Sequence, residues 1–501
     1  MFNELRKLKK KKATGIDNIP SKLVRDCASE ISSPITYIIN LSLSSSTVPS
    51  DWKMAKIIPI FKSGNSNDVD NYRPISILPV ISKIQEKLVH RQLINHLEDN
   101  NMLYSNQFGF RSKKSTEQAA TYFIDNIRTE MDNGKLTGAV FIDLSKAFDT
   151  ISHAGLLNKL PEYGIKSTEL EWLTDYLFNR KQFVLFDDKI SSEQPVYSGV
   201  PQGSILGPLL FLIHFNDIAT HIKNSRIIKY ADDTVIYFSH KDVLVIQNKL
   251  SEDCNLISRW LDSNNLIVNL KPGKTETMLF GTAKRLCTVK DHNFEVKIKN
   301  RIINNTILYK YLGVKLDITL NLGINFNEMY RKASGRLRLL YRLRNSITIH
   351  TANCIYRSFI VPLPMYCAIT NLNLTKTQLS RLENINRRAE MIIRGQSTAF
   401  IINTKIYDLM KIHCCSIVER TLFNQNDFEC FKDYFTLMNN CTRNQEVLLR
   451  LPKFKLETGK NTFKFMGAKI FNELPLELRR NIGKNGFKSK LKIYFNGAAD
   501  D

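Results

Sequence analysis

Residues 227–239 read IIKYADDTVIYFS, and the architecture of the chain turns on how this stretch folds. Two short runs rich in β-branched and aromatic residues, IIKY and TVIYF, flank Ala231-Asp232-Asp233. That is the pattern of a hairpin with two adjacent carboxylates at its tip, held between apolar walls. Like charges beside Ile, Val and Phe are costly unless a cation sits on them, and a divalent metal is the usual remedy. An Asp-Asp pair by itself also makes an ordinary polar turn. A matching third acid elsewhere in the chain decides between the two readings.

Asp143 is that acid. Residues 139–144, AVFIDL, form a near-continuous apolar strand with Asp143 close to its end, a position hard to justify on structural grounds alone. Paired in space with Asp232, it would complete a two-metal site whose carboxylates clamp ions about 3.5–4 Å apart, activate an attacking hydroxyl and neutralise a leaving phosphate. Between the acids lies GVPQGS (199–204), where small residues around Gln202 let backbone and ligand approach closely ahead of an apolar helix. Upstream, WKMAKIIPIF (52–61) and the segment from Tyr72 predict a hairpin carrying Lys62 and Arg73, two cations suited to a phosphate chain. A long amphipathic helix is expected over 82–99, then QFGFR (107–111) and a helix-start string at 113–117.

Composition bounds the partners. The 501 residues exceed one ordinary core, so two to four structural units are expected. Lys and Arg number 71 against 48 Asp and Glu, a formal charge of +23, which favours a polyanionic partner: nucleic acid first, an anionic membrane second. No apolar run is long enough to span a bilayer, so no membrane role is expected, and no secretory signal follows the Lys-rich residues 1–12. Nine scattered cysteines fit a reducing compartment. His413-Cys414-Cys415 with Cys430 and Cys441 lacks the paired spacing of a zinc site, which leaves buried thiols as the default.

Helical periodicity begins near Pro20 and Ser21, giving a small helical front end. Downstream, 260–280 reads helix, turn, strand, with Asn269, Lys271 and Lys274 around Pro272-Gly273. On a helix expected over 327–346, Met329, Ala333, Leu337 and Leu340 share one face while Arg331, Arg338 and Arg342 share the opposite one. Such an arginine row can track nucleic-acid phosphates; a solvated face or an anionic membrane would also accept it. A further helix is expected over 377–394, ended by Gly395.

Six strings carry a family resemblance: KATGID (12–17), NYRPIS (71–76), QFGFR, FIDLSKAFD (141–149), GVPQGSILGP (199–208) and YADD (230–233). In this order they resemble the reverse transcriptases of non-long-terminal-repeat retrotransposons, the jockey-like group most closely. The resemblance implies an α+β right-hand polymerase: fingers, a palm made of a ferredoxin-like antiparallel sheet with helices, a helical thumb and a mostly helical C-terminal region. The expected division is 1–115 for an N-terminal helical segment and fingers, and 116–317 for the palm with part of the fingers interleaved. The thumb takes 318–395 and a C-terminal extension 396–501.

Carried over residue by residue, Asp143, Asp232 and Asp233 match the catalytic and metal-binding triad, with Asp233 the candidate for an outer role. Lys62 and Arg73 match the residues that hold the triphosphate, and Gln202 the residue beside the incoming nucleotide. Phe148 matches the aromatic wall that rejects a ribose 2′-hydroxyl. NLKPGKTE (269–276) resembles the segment in which a lysine, here Lys274, protonates the leaving pyrophosphate. YKYLGVKLD (309–317) resembles the hairpin that grips the primer end, so Tyr311 and Gly313 join Arg331, Arg338 and Arg342 as expected nucleic-acid contacts.

The implied activity is RNA-directed DNA synthesis with two Mg²⁺ ions, Mn²⁺ being an acceptable substitute. An RNA template, a DNA primer or nicked target DNA, and deoxynucleoside triphosphates are the implied partners. Work in the nucleus is expected, with synthesis and RNA binding in the cytoplasm also allowed. Members of this group carry an endonuclease ahead of the polymerase, and this sequence opens close to the first polymerase string, so the polymerase region alone is expected. A catalytically silent, element-derived RNA-binding protein is the alternative. An RNA-directed RNA polymerase or a telomerase-like enzyme fits Phe148 and GVPQGSILGP less well.

Overall fold

The computed structural model describes residues 1–394, 404–423, 428–438 and 447–496; Gly395 and Cys441 fall outside them. Strands and helices are mixed throughout, in an α+β arrangement. Among the described residues no helix is long and apolar enough to cross a membrane.

The chain opens with short helices and α1 (Ala28–Ser44), which bury Leu5, Val24, Ile35 and Ile39 against Val80 and Ile84 at the start of α2 (Val80–Asp99). Between them, β1 (Met54–Phe61) and β2 (Tyr72–Ile77) form the expected antiparallel hairpin, with Phe61 opposite Tyr72 and Pro59 opposite Pro74. Because the two prolines face each other, the missing donors fall on one rung of the ladder rather than two.

After α3 (Thr116–Asp132), capped by the Ser115 hydroxyl accepting from Gln118 N–H, comes the central strand β3 (Leu136–Ile142). Strand β4 (Arg180–Phe186) returns to the first sheet and pairs in parallel with β1. Then follow α4 (Gly207–His214), the hairpin of β5 (Arg226–Tyr230) and β6 (Asp233–His240), α5 (Val243–Ser263) and β7 (Glu276–Phe280).

The second sheet has the order Asn304–Asn305, β7, β3, β6, β5; it is antiparallel except for the parallel pairing of Asn304–Asn305 with β7. Every residue of β3 is buried because both faces are covered. Phe123 of α3 meets Phe141, Tyr237 and Phe280 edge-on from one side. On the other side α5 comes so near that a Cβ on Gly138 would lie 2.5 Å from Ile246, which explains a glycine inside a central strand.

A further hairpin, β8 (Leu308–Tyr311) and β9 (Val314–Asp317), leads into α6 (Gly323–Leu343), four residues ahead of the expected start. One hydrophobic cluster then joins α6, α7 (Lys376–Arg394), α8 (Ile406–Phe423), α9 (Phe463–Asn472) and α10 (Phe487–Phe495), running from Phe326 to Leu491. Its attachment to α3 is polar and buried. The Arg128 guanidinium donates to the carbonyls of Leu320 (2.9 Å), Thr370 (3.0 Å) and Asn461 (2.6 Å), and Asp125 accepts from Phe463 N–H at 2.8 Å. Cys414 and Cys415 are buried thiols, and His413 donates to Glu117 at 2.7 Å.

Candidate active site

The two acidic motifs meet because of strand register. β5 and β6 close through Ala231-Asp232, with Tyr230 opposite Asp233. β3 pairs with β6 as far as Ile142 opposite Thr234, and with β7 as far as Phe141 opposite Glu276. Continuing the first ladder by one step brings Asp143 level with Asp233; continuing the second by two steps brings it level with Lys274. The contacts agree: Asp143 N–H donates to Thr275 Oγ1 at 3.2 Å, and Lys274 Nζ lies 3.7 Å from Asp143 Oδ2. Asn269 Nδ2 donates to the same oxygen at 2.9 Å.

The acids feel one another. Burial raises the Asp232 carboxyl above its ordinary range and the charge of Asp143 adds to it, while Lys62 and Arg73 pull it back. Asp233 is pushed up to about 6, first because protein crowds its carboxyl although the residue as a whole stays exposed, then by Asp232 and Asp143, with Lys274 opposing. Hard oxygens gathered under mutual repulsion are the donor chemistry of Mg²⁺. Among the described residues no three acidic, histidine or cysteine groups form a ready-made ion cage. One Asp143 oxygen is turned toward Asn269 and Lys274, and an ion that keeps waters and substrate phosphates in its shell needs only one or two protein carboxylates.

Beside the acids lies an aromatic and amide wall. Phe148 stacks on Phe211 with ring centroids 4.7 Å apart and meets Phe110 edge-on at 6.0 Å. Gln202 Nε2 donates to both oxygens of Asp149, at 2.8 and 3.0 Å, and the Gln202 carbonyl accepts from Ser76 N–H at 2.7 Å. That last bond fastens β2, and with it Arg73, to the Gln202 turn. Gly203 sits at φ 127° with a would-be Cβ 2.5 Å from the Ser76 carbonyl, so only glycine allows the join. Asp149 and Asn269 were not assigned roles by sequence reasoning. Asp149 stands inside FIDLSKAFD, but nothing local reveals a partner 53 positions away.

Arg331, Arg338 and Arg342 are exposed on α6 while Ala333, Leu337 and Leu340 are buried, as the periodicity predicts. Arg338 and Arg342 also line a groove with Arg344 and Arg388. The expected nucleic-acid contact by Tyr311 is corrected: its side chain is 3% exposed, packed against Phe123 and Phe141, because on β8 it faces the core under α3. Gly313, at φ 84°, is exposed at the β8–β9 turn, but the close approach it permits is made by Tyr366, whose hydroxyl donates to the Leu312 carbonyl at 2.7 Å.

Comparison with known proteins gives the family of the chain. Residues 60–316 match the family described as reverse transcriptase (RNA-dependent DNA polymerase). The chain is similar to the RNA-directed DNA polymerase from mobile element jockey of Drosophila melanogaster, 29% identical over 401 residues, 77% of this chain and 43% of that protein. It is also 29% identical over 402 residues to the probable RNA-directed DNA polymerase from transposon BS of the same species, 77% of this chain and 43% of that protein. The probable RNA-directed DNA polymerase from transposon X-element, again of Drosophila melanogaster, is 27% identical over 410 residues, 80% of this chain and 44% of that protein. The chain thus spans less than half the length of these relatives. With the family match covering just over half of its residues and both acidic motifs brought to one end of the central sheet, the chain belongs to the reverse transcriptase (RNA-dependent DNA polymerase) family.

Proposed function

We infer that the chain is the RNA-directed DNA polymerase of a non-long-terminal-repeat retrotransposon, copying an RNA template from the 3′ end of a DNA primer or nicked target. The observation that carries this reading is the convergence of Asp143, Asp232 and Asp233 into one electrostatic cluster within reach of Lys62, Arg73 and Lys274. The β5–β6 sheet serves as palm, the β1–β2–β4 sheet as fingers and α6 with α7 as thumb. In residue terms, 1–115 supplies the N-terminal helices and fingers, 116–317 the palm, 318–395 the thumb and 396–501 an extension.

In this reading Lys62 and Arg73 hold the triphosphate, Gln202 lines the nucleotide site under the control of Asp149, and Phe148 stands where a 2′-hydroxyl would clash. The primer 3′-oxygen forms a bond to the α-phosphorus as the bond to the bridging oxygen breaks. Lys274 gives a proton to the departing pyrophosphate. Asp143 and Asp232, with Asp233 beside them, would hold two Mg²⁺ ions, whose chemistry would be neutralisation of the charge that develops during transfer. Mn²⁺ is a workable substitute. Arg331, Arg338 and Arg342 follow phosphates of the primer–template duplex, and the site of work is the nucleus.

Purified protein given poly(rA)/oligo(dT), dTTP and Mg²⁺ extends the primer; Asp143→Asn stops extension while RNA retention on a filter persists. Absence of extension by the unaltered protein across salt and metal conditions contradicts the reading and leaves a silent RNA-binding protein.

A further inference from the structure

The turn that carries Asp232 is strained. Ala231 takes φ 57°, the left-handed region in which an L side chain crowds its own backbone. Such a conformation persists only where the surroundings over-determine it. The surroundings here come from QFGFR, whose Phe110 meets Phe148 but whose Gln107 has no part in the chemistry above.

Gln107 is 2% exposed, and its side chain reaches across to the turn. Its Oε1 accepts from Ala231 N–H at 3.0 Å and from Gly109 N–H at 2.9 Å, while its Nε2 donates to the Ala231 carbonyl at 3.4 Å. Both backbone polar groups of the strained residue are therefore bonded by one amide, which presents a donor and an acceptor side by side. The neighbouring backbone is zipped to β5 as well: Phe108 N–H donates to the Lys229 carbonyl at 2.8 Å, and Lys229 N–H to the Asn106 carbonyl at 2.9 Å. Gly109 lies directly on the turn, where a Cβ would sit 2.2 Å from the Ala231 nitrogen. Arg111 anchors the string from its far end, donating to Glu98 Oε1 at 2.8 Å and to the Tyr104 carbonyl at 2.9 Å.

We propose that Gln107 is a positioning residue for Asp232: by bonding both the N–H and the carbonyl of Ala231 it fixes the left-handed turn that aims the next carboxylate into the cleft. The inference rests on the polymerase reading for its rate consequence but not for its geometry. Gln107→Leu keeps the bulk and removes both bonds to Ala231 together with the one from Gly109 N–H. Gln107→Met removes the same bonds with an unbranched side chain closer in shape to glutamine.

Three readouts separate positioning from mere stability: kcat and the KM for dTTP in primer extension, Mn²⁺ binding followed by the loss of the free-ion electron paramagnetic resonance signal, and the thermal midpoint without metal. Gln107→Leu is expected to lower kcat about 10²-fold, the cost of a misplacement near 1 Å, and to weaken Mn²⁺ binding, with KM for dTTP held within about 2-fold. Adding Ala231→Gly, which takes the left-handed conformation without strain, recovers part of both losses. Gln107→Met reproduces the loss of kcat and carries the test where Gln107→Leu does not fold. Unchanged kcat and Mn²⁺ binding in either folded variant overturns the proposal, as does a fall in kcat that merely follows the thermal midpoint and is not relieved by Ala231→Gly. Failure of the polymerase reading is distinguishable, since the unaltered protein then extends nothing while Mn²⁺ binding still differs between it and the variants.

Discussion

Two acids, one on a helix packed against the central sheet and one at the end of a strand within it, are both raised by burial, but their neighbours act in opposite directions. Asp125, inside the seam that ties α3 to the C-terminal helices, is pushed up to about 7 by burial, and its neighbours oppose the shift: the Arg128 charge and the backbone N–H of Phe463. Asp233, at the exposed cleft, is pushed up to about 6 by crowding, and two of its neighbours add to the shift: the charges of Asp232 and Asp143. A raised carboxyl is therefore not by itself the mark of a working site. Like charges left facing each other, with their net shift still upward despite Lys62, Arg73 and Lys274, are the better mark, because a bound cation relieves them further. In the seam the protein supplies the relief internally, through fixed partners to Arg128 and Asp125.

Breaking the seam should cost stability and leave the chemistry alone. Arg128→Met removes the donor to three carbonyls and leaves Asp125 without its counter-charge, so urea unfolding should show a loss of about 3–5 kcal/mol. Extension per folded molecule, measured at low temperature, should remain near the unaltered value. A variant that folds normally but extends poorly would erase the contrast.

A smaller effect is expected at the wall of the cleft. Phe148→Val keeps an apolar side chain but opens space beside Phe211 and Phe110. Incorporation of rUTP relative to dTTP should rise about 10–100-fold, the range set by modest changes in an apolar pocket. A constant ratio removes Phe148 from sugar selection.

The smallest effect is a pH slope. For Asp125 the folded value of about 7 lies above the ordinary aspartate value of about 3.9, so ionisation costs the folded state. The contribution is most favourable below the unfolded value and is lost as pH rises to about 7. Asp125→Asn removes that slope. The midpoint of the variant minus that of the unaltered protein should therefore grow between pH 4.5 and 7.5, by about 2–4 °C for each roughly 1 kcal/mol recovered in a unit of 150–250 residues. A flat difference would mean that Arg128 keeps Asp125 ionised throughout.

The same contrast explains what was legible in the sequence. The cleft is written in local strings: alternating β runs around Asp232, a continuous apolar run before Asp143, and proline and glycine around Gln202. Each is short enough for its geometry to follow from neighbours in the chain. The seam is not legible because Asp125 and Arg128, three apart on a helix, look like an ordinary solvated pair; the groups that bury them lie at Leu320, Thr370, Asn461 and Phe463. Tyr311 failed for a related reason: YKYLG predicts the hairpin but not which side of it meets Phe123. Gln107 and Asp149 were visible as polar residues in recognisable strings, yet their partners lie 124 and 53 positions away.

The most direct test of unrelieved charge as the mark of function is to measure primer extension and thermal midpoint on the same preparation of Asp232→Asn. Removing one of the mutually repelling carboxylates should abolish extension, by at least about 10²–10³-fold, while the metal-free midpoint stays level or rises. Extension that survives, or that disappears together with the fold, would contradict the account.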